Sequence, residues 1–552
     1  MKINTTSIFA AVLVFAGLIS TAASLHGETE ATSAKVATTP NPGPGFGADG
    51  GPEASEGDPD HGAFGMPGVL SEEEPSTDPS LFDQAAELLP ERYLLRSVDW
   101  HAPDYKGQAD ALGWEPDVFK VPPGLATRVA FWKDIYAKYT TDQGVMHDID
   151  DIDVVYEMID FTQLMKDSRM SLSAKARART KLVKARRTEI SQRLERLSKM
   201  KKEKDVRDES DRKMLAIFTK EPLASFFQKP RARDLLNLKE RLKTSSRKRK
   251  IRFQLGQKDK FVLGLYYSGR YLRSMEKVFR QEKLPIELTR LPFVESSFNI
   301  QARSRVGASG IWQFMPRTAK PWMMVNRDVD ERNDPMTATA AAARLMRSNF
   351  ERLRTWPLAL TAYNHGATGV ARAVRKTGSK ELSVIIDNYE GRRFGFASSN
   401  FYACFLAALE TEKKARTILG DVKWSLEFDG SEVDLVKPMG WGTLVDFYDG
   451  ESTLAELQNP HLTKRVRTSE RNIPKGTFVR IPSSRVGLAK DFVSGKIDAP
   501  ELKRLLSLTP IPRTFSADGA AATIKSKLGV FSEAAKALLP FVSGSPEPKG
   551  LK

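Results

Sequence analysis

The sequence contains a single cysteine, and this scarcity argues against two kinds of protein. One thiol cannot form a disulfide framework, and Cys404 lies far from the amino terminus, where a lipid-bearing cysteine would have to follow an export signal. Because Cys404 is inside the apolar run 401–409, we expect it to be a small buried hydrophobic residue.

Acidic side chains are absent from residues 296–327, the stretch that follows Glu295. Glu295 ends the segment 284–295, where apolar residues recur at the three-to-four-residue steps of a helix with one buried face. Pro285 suits a first helical turn, and Pro292 is expected to kink the helix. A carboxyl group in apolar, acid-free surroundings should have a raised pKa, as a general acid requires.

A long apolar run is also missing at the amino terminus. The run 8–19 is shorter than the roughly 20 residues that cross a bilayer, and small residues follow it at 20–24. This layout predicts a cleavable signal peptide over residues 1–23 and a periplasmic protein without a lipoprotein cysteine. Residues 24–80 are rich in Gly, Pro, Ser, Thr, Asp and Glu, and we expect a disordered acidic linker there.

The 552 residues exceed what one core usually supports, which predicts two or three folded units. A formal net charge of +16 indicates an anionic partner: nucleic acid, a phospholipid surface or a cell-wall polymer. Export disfavours nucleic acid and leaves electrostatic contact with a wall or membrane surface. Much of the basic charge lies in 171–204, predicted to be a long amphipathic helix with a solvated basic face, and in 247–250. No sequence feature indicates an oligomeric state.

Residues 146–153 contain one histidine and four aspartates, which raises the question of a metal site. The spacing lacks the glycine and the terminal glutamate of a calcium loop, so we favour a polar turn before a helix over 154–165 and predict no metal. Upstream, residues 129–139 are expected to form a helix with an aromatic face.

Further signals mark loops and helix ends downstream of Glu295. Gly307 and Gly310 predict a tight loop whose backbone closely approaches another part of the molecule. Asp334 with the following proline predicts a cap and first turn for the helix 336–353. A short apolar helix over 358–363 should end at 364–366, and Gly378 should end the next helix.

Three short motifs occur in this part of the chain: Glu295-Ser296, Gly310-Ile311-Trp312-Gln313 and Ala362-Tyr363-Asn364. In this order, and separated by helices, they resemble the signature motifs of family 1 lytic transglycosylases, whose soluble-lytic-transglycosylase (SLT) domain has a lysozyme-like fold. The resemblance extends over about 284–409. Alone, a motif such as Ala-Tyr-Asn would carry no information.

The resemblance implies cleavage of the β-1,4 bond between N-acetylmuramic acid and N-acetylglucosamine in peptidoglycan, without water or cofactor, leaving a 1,6-anhydromuramoyl end. A hydrolytic glycosidase usually needs two carboxylates. Here Glu295 would act alone, first as acid and then as base, because the sugar's own 6-hydroxyl is the nucleophile. The less favoured alternative is a second carboxylate folding back from the following acids: Asp328, Asp330, Glu331 or Asp334.

The same resemblance implies a set of substrate-binding residues. Gln313 and Tyr363 are favoured as functional because a polar group at the inner end of an apolar helix otherwise lacks a partner. Apolar residues such as Phe314 and Met315 more often build a core than line a cleft, and the alternative for Tyr363 is a helix-packing face. The full predicted set is Ser296, Ser304, Gln313, Phe314, Met315, Tyr363, Asn364 and Tyr402.

The sequence departs from the family pattern in its last helix, where the family often has a Glu-Thr pair. Ser398, Ser399 and Asn400 occupy that stretch here, which leaves the back of the site without the expected carboxylate.

Residues 430–483 resemble a LysM repeat, a small βααβ module that binds N-acetylglucosamine polymers, although the start of the match is weak. A working glycan binder and a degenerate structural remnant are equally compatible with this match. The predicted fold is therefore mainly α. A helical, partly basic domain (81–265) precedes a lysozyme-like α+β catalytic domain (266–415), and a small α+β LysM-like module (430–483) and a helical or disordered tail (484–552) follow. Two other functions stay open: a hydrolytic muramidase and a catalytically inert cell-wall-binding protein.

Overall fold

The structure is a computed structural model that describes residues 118–201, 203–219, 232–420, 422, 424–425 and 427–509. The predicted signal peptide and acidic linker lie outside the described residues, as does the end of the predicted tail.

The amino-terminal part of the described chain combines helices with a small sheet. Ser171 caps its long basic helix by accepting a hydrogen bond from the Ala174 amide. The elements are α1 (Ala126–Ala137), β1 (Gln143–Asp148), β2 (Val155–Asp160), α2 (Thr162–Lys166), α3 (Leu172–Ser198), α4 (Glu209–Thr219), α5 (Ala232–Ser245) and β3 (Ile251–Leu255).

The central part contains helices and loops. Asp334 caps α10 by accepting hydrogen bonds from the Met336 and Thr337 amides, as its position before a proline predicts. The elements are α6 (Lys258–Ser268), α7 (Leu272–Gln281), a 3-10 turn (Ile286–Arg290), α8 (Leu291–Glu295), α9 (Pro316–Ala319), α10 (Pro335–Leu353), α11 (Trp356–His365), α12 (Ala367–Thr377), α13 (Leu382–Asn388), α14 (Phe396–Lys413) and α15 (Ala415–Leu419).

The carboxy-terminal part is a two-stranded antiparallel sheet with helices between and after its strands. Its elements are β4 (Ser431–Asp434), α16 (Trp441–Asp446), α17 (Ser452–Gln458), α18 (Lys464–Arg467), β5 (Phe478–Ile481), α19 (Val486–Ser494) and α20 (Ala499–Leu508). The predicted β-α-α-β order is present with α18 added, and the likeness to a LysM repeat stays a prediction. Across the described residues the fold is mainly α, which confirms the predicted fold class.

One prediction for the amino-terminal part is wrong: residues 154–165 are not one helix. They form strand β2 followed by the short helix α2, and β2 pairs with β1 in an antiparallel sheet of order β2-β1-β3. Short apolar runs cannot be assigned to helix or strand by periodicity alone, and here the pairing with β1 decides. The predicted polar turn does lie between the two strands, where the Asp148 carboxylate accepts hydrogen bonds from the amides of Asp150 and Asp151.

The described residues form two hydrophobic cores. The smaller one lies between the sheet and the basic helix, where Val183, Ile190, Leu194 and Leu197 of α3 are all buried. The larger one extends from Phe119 to Leu506 and includes residues of all three predicted folded units. Helix α1 packs along α14 inside this larger core, and the predicted domain bounds stay predictions.

No helix within the described ranges combines the length and the hydropathy of a membrane span.

Candidate active site

Glu295 is the last residue of α8, at the end of a helix that changes type part-way. The segment begins as the 3-10 turn 286–290 and continues as α8 from Leu291, with Pro292 at the second helical position. Proline lacks an amide donor and fits an early helical position. The segment changes from 3-10 to α geometry just before Pro292, and a kink there stays a prediction.

The backbone directly after Glu295 is strained. Ser297 and Phe298 have φ angles of 52° and 58°, and Gln313 in the second motif has a φ of 48°. Residues other than glycine seldom adopt this left-handed region, and such strain persists only where the surroundings enforce it. Strained backbone of this kind concentrates at functional sites, and here it occurs in the two loops that carry the first two motifs.

The Glu295 carboxyl group is in an apolar environment. Its residue is 7% exposed, and burial raises its pKa from 4.5 to about 8. Three other buried groups are close enough for the charge on Glu295 to contribute to their raised pKa values: the phenols of Tyr136 and Tyr363 and the thiol of Cys404. Among the described residues, none donates a hydrogen bond to the Glu295 carboxyl group. A pKa of about 8 favours the protonated form of this carboxyl group at neutral pH.

The four acids considered as a second carboxylate are engaged elsewhere. Asp330 forms a two-point ion pair with Arg332, at 2.8 and 2.7 Å, and Glu331 accepts a hydrogen bond of 2.6 Å from the Met324 amide. Asp328 pairs with Arg465 at 3.4 Å, and Asp334 pairs with Arg480. Burial alone raises the pKa of Glu295 among the described residues, and none of the four acids contributes to that raised pKa.

The three sequence motifs converge on one loop, residues 310–313. From the first motif, Ser296 donates a hydrogen bond of 2.9 Å from its hydroxyl to the Ile311 carbonyl. From the third motif, Tyr363 donates one of 2.8 Å to the Trp312 carbonyl. Two consecutive carbonyls of the second motif are thus held by the other two motifs. Their proximity, which the sequence order alone could not establish, is a finding of the structure.

The Gln313 side chain is fixed by its own loop. Its amide nitrogen donates to the Ala302 carbonyl at 3.0 Å and to the Gly310 carbonyl at 2.8 Å, which directs the amide oxygen away from these partners. Gly310 has a φ of 76°, and a Cβ atom there would lie 1.9 Å from the Arg332 carbonyl oxygen. The close backbone approach predicted for Gly310 is therefore present, whereas a Cβ at Gly307 would meet open space.

The other predicted substrate residues fall into two groups. Ser304 and Met315 are half-buried, and the Ser304 hydroxyl accepts a hydrogen bond of 2.8 Å from the Ala308 amide. Phe314 and Tyr402 are 2% and 1% exposed, and their rings belong to the large core. For Phe314 this is the core position given above as the alternative to a cleft position. For both buried rings, contact with a ligand stays a prediction.

Asn364 lies in a polar chain rather than in open solvent. Its side-chain oxygen accepts a hydrogen bond of 3.0 Å from the Ser398 hydroxyl, which also lies 3.1 Å from His365 Nδ1. Asn400 accepts hydrogen bonds of 3.2 Å from Trp132 and Arg128 on α1. Ser398 and Asn400, from the stretch that lacks the expected Glu-Thr pair, thus join α14 to α11 and to α1.

Sequence reasoning missed Tyr136 as a neighbour of the candidate site. Tyr136 belongs to the aromatic face predicted for residues 129–139, and it packs against Phe261 with ring centroids 5.2 Å apart. The aromatic pattern was visible in the sequence, but its partner was not, because 159 residues separate Tyr136 from Glu295 along the chain.

Comparison with known proteins gives the family of this region. Residues 276–386 match the family described as "Transglycosylase SLT domain". The chain is similar to "Membrane-bound lytic murein transglycosylase D" of Escherichia coli (strain K12), at 37% identity over 106 residues, which cover 19% of this chain and 24% of that protein. It is also similar to a "Putative tributyltin chloride resistance protein" of Alteromonas sp. (strain M-1), at 35% identity over 117 residues, 21% of this chain and 56% of that protein.

The matched stretch spans about a quarter of the first relative and just over half of the second. The residues that match the SLT family, 276–386, contain Glu295 and all three motifs. Residues 276–386 are therefore a transglycosylase SLT domain, in agreement with the resemblance of the three motifs to those of family 1 lytic transglycosylases.

Proposed function

We propose that the protein is a peptidoglycan lytic transglycosylase in which Glu295 is the sole general acid and base. The observation that carries this proposal is the environment of Glu295: a buried carboxyl group whose pKa burial raises to about 8, with no second carboxylate acting on it among the described residues. A hydrolytic glycosidase needs a partner carboxylate within about 5 to 10 Å, either as nucleophile or to activate water.

The reaction would use one carboxyl group twice. Protonated Glu295 donates its proton to the glycosidic oxygen between N-acetylmuramic acid and N-acetylglucosamine as that bond breaks. The resulting carboxylate then removes the proton from the 6-hydroxyl of the muramic acid, whose oxygen attacks the anomeric carbon. The products are an N-acetylglucosamine end and a 1,6-anhydromuramoyl end. No water is consumed, and Glu295 regains its proton.

Residues around Glu295 have distinct parts in this proposal. Tyr363 and Ser296 position the loop of the second motif, because their hydroxyl groups already donate to its carbonyls. The amide oxygen of Gln313 is available to accept a hydrogen bond from an acetamido or hydroxyl group of the glycan, since its amide nitrogen is already engaged. Ser304 and Met315, both half-buried, would line the cleft. A periplasmic location and peptidoglycan as the polymeric partner belong to the same proposal.

Digestion of purified sacculi with the purified protein tests the reaction, with products identified by mass. Anhydro ends are one water lighter than reducing ends. We expect anhydro ends from the wild type, and a product set of reducing ends alone would identify a muramidase instead.

The Glu295→Gln variant tests the assignment of the catalyst. The amide cannot donate a proton to the leaving oxygen as an acid does, so turnover should be lost while binding to sacculi is retained. The matched control is Glu287→Gln, because Glu287 is a second buried glutamate in the same helical segment, 6% exposed. Equal sacculus cleavage by the wild type and the Glu295 variant would contradict the assignment, and an inert wild type would favour the wall-binding alternative.

A further inference from the structure

The carboxy-terminal region packs against the segment 327–334, which leads into α10. The Asp330 amide donates a hydrogen bond of 2.7 Å to the His461 carbonyl, and the Thr463 amide donates one of 3.1 Å to the Asp328 carbonyl. Val329 and Leu462 form an isolated antiparallel bridge at the same place. The backbone of the carboxy-terminal region is therefore hydrogen-bonded directly to the catalytic domain.

An ion pair to a buried carboxylate reinforces this contact. Arg480 on β5 donates hydrogen bonds to both carboxylate oxygens of Asp334, one of them at 3.0 Å, and Asp334 is completely buried. Burial alone would raise the pKa of Asp334, but the Arg480 guanidinium outweighs it and lowers the pKa to about 2. Asp334 is also the N-cap residue of α10, so Arg480 binds the residue that directly precedes this helix.

The same segment holds the loop of the second motif from its other side. The Arg332 guanidinium donates to the carbonyls of Gly307 and Phe314, at 2.7 and 3.0 Å. The Asn333 side-chain oxygen accepts a hydrogen bond of 2.6 Å from the Ser309 hydroxyl. Residues 330–334 thus lie between the carboxy-terminal region and the loop that carries Gln313.

We propose that Arg480 is a positioning residue for the reaction and that the carboxy-terminal region supports the loop of the second motif, residues 310–313, from outside the SLT domain. The proposal rests on the proposed function. Its physical reason is the left-handed backbone at Gln313, which persists only while neighbouring structure enforces it. Loss of the Arg480 contact would allow residues 330–334 to shift and the Gln313 side chain to leave its position. Misplacement by about 1 Å can cost on the order of 100-fold in rate.

The test separates positioning from stability with three variants. Arg480→Met leaves the Asp334 charge buried without its arginine, which should destabilise the protein. The double variant Arg480→Met/Asp334→Asn removes that charge and keeps a helix cap, since asparagine caps as well as aspartate. The matched control is Arg485→Met, because Arg485 is a fully buried arginine whose partners lie within the carboxy-terminal region, including the Phe447 and Thr509 carbonyls.

Release of anhydro products from sacculi is measured for each variant at a temperature where urea unfolding shows it to be folded. We expect kcat to fall by about 10- to 100-fold in both Arg480 variants, with a smaller change in KM. The double variant should regain stability relative to the single one without regaining kcat, and Arg485→Met should keep the wild-type kcat.

Two outcomes would overturn different statements. If the double variant regains kcat together with stability, Arg480 acts through stability alone and the positioning role is wrong. If the wild type itself releases no anhydro product, the proposed function fails. The first outcome requires an active wild type, so the two failures cannot be confused.

Discussion

Replacement of Glu295 by glutamine should stabilise the protein at alkaline pH and leave its stability nearly unchanged in acid. In the folded protein the Glu295 pKa is raised from 4.5 to about 8, so the native state binds one proton more than the unfolded chain between these values. Stability conferred by the protonated form is complete below pH 4.5 and is lost as pH rises towards 8. A difference of about 3.5 pH units at 1.36 kcal/mol each amounts to about 5 kcal/mol.

The expected pH dependence follows from that difference. Relative to pH 4, Glu295 lowers the wild-type free energy of unfolding by about 3 kcal/mol at pH 6.5 and by nearly the full amount above pH 9. Glutamine does not titrate, so the difference in unfolding free energy between variant and wild type should grow with pH by these amounts.

Urea unfolding of both proteins at pH 4.5, 6.5 and 8.5 measures this difference. The matched control is Glu351→Gln on α10, the same substitution at an exposed position, which should change stability by no more than about 0.5 kcal/mol. A constant difference between the Glu295 variant and the wild type across these pH values would refute the claim that Glu295 is held protonated by burial.

Four further results are expected. Turnover of sacculi should decline above about pH 8 as Glu295 loses the proton that it must donate, and a rate still rising at pH 9 would contradict its role as acid. Tyr363→Phe leaves a carbonyl of the second motif without its donor, so urea unfolding should show a loss of about 1 to 3 kcal/mol, whereas a neutral result would mean that water replaces the hydroxyl. Gly310→Ala should destabilise the protein by more than about 4 kcal/mol, because its Cβ atom would collide with the Arg332 carbonyl. The control Gly307→Ala has a similar φ and open space around the Cβ atom, and it should cost about 1 to 2 kcal/mol. Equal shifts of the melting temperature in the two variants would refute the close approach at Gly310. Arg290→Met should cost about 3 to 5 kcal/mol in urea unfolding, since this buried guanidinium pairs with two buried glutamates, and a stable variant would show that the ion pairs are dispensable.

Local features of the fold were predictable from the sequence. The helices 126–137 and 172–198 overlap the predicted helices 129–139 and 171–204. The cap at Asp334 and the left-handed end of α12 at Gly378 lie at the residues that the sequence indicates. Each depends on residues within a few positions of one another, so the information is present in a short window. The same holds for the three motifs, each of which is a short segment.

The strand 155–160 shows where local reasoning ends. Its apolar residues are compatible with a helix, and only the neighbouring strand β1 makes it a strand. The raised pKa expected for Glu295 from an acid-free stretch of sequence is similar: the direction was predictable, but the burial that causes it comes from elements distant in the chain.

The sequence by itself determined the candidate acid, its motifs and their resemblance to an SLT domain. Only the tertiary structure decided what surrounds them. Tyr136 lies near Glu295, and α1 is hydrogen-bonded to α14. Arg480 binds Asp334 in the segment that contacts the loop of the second motif. These contacts join residues more than a hundred positions apart. Hydrogen bonds and ion pairs depend on distance in space rather than along the chain, so a sequence pattern can name such residues without identifying their partners.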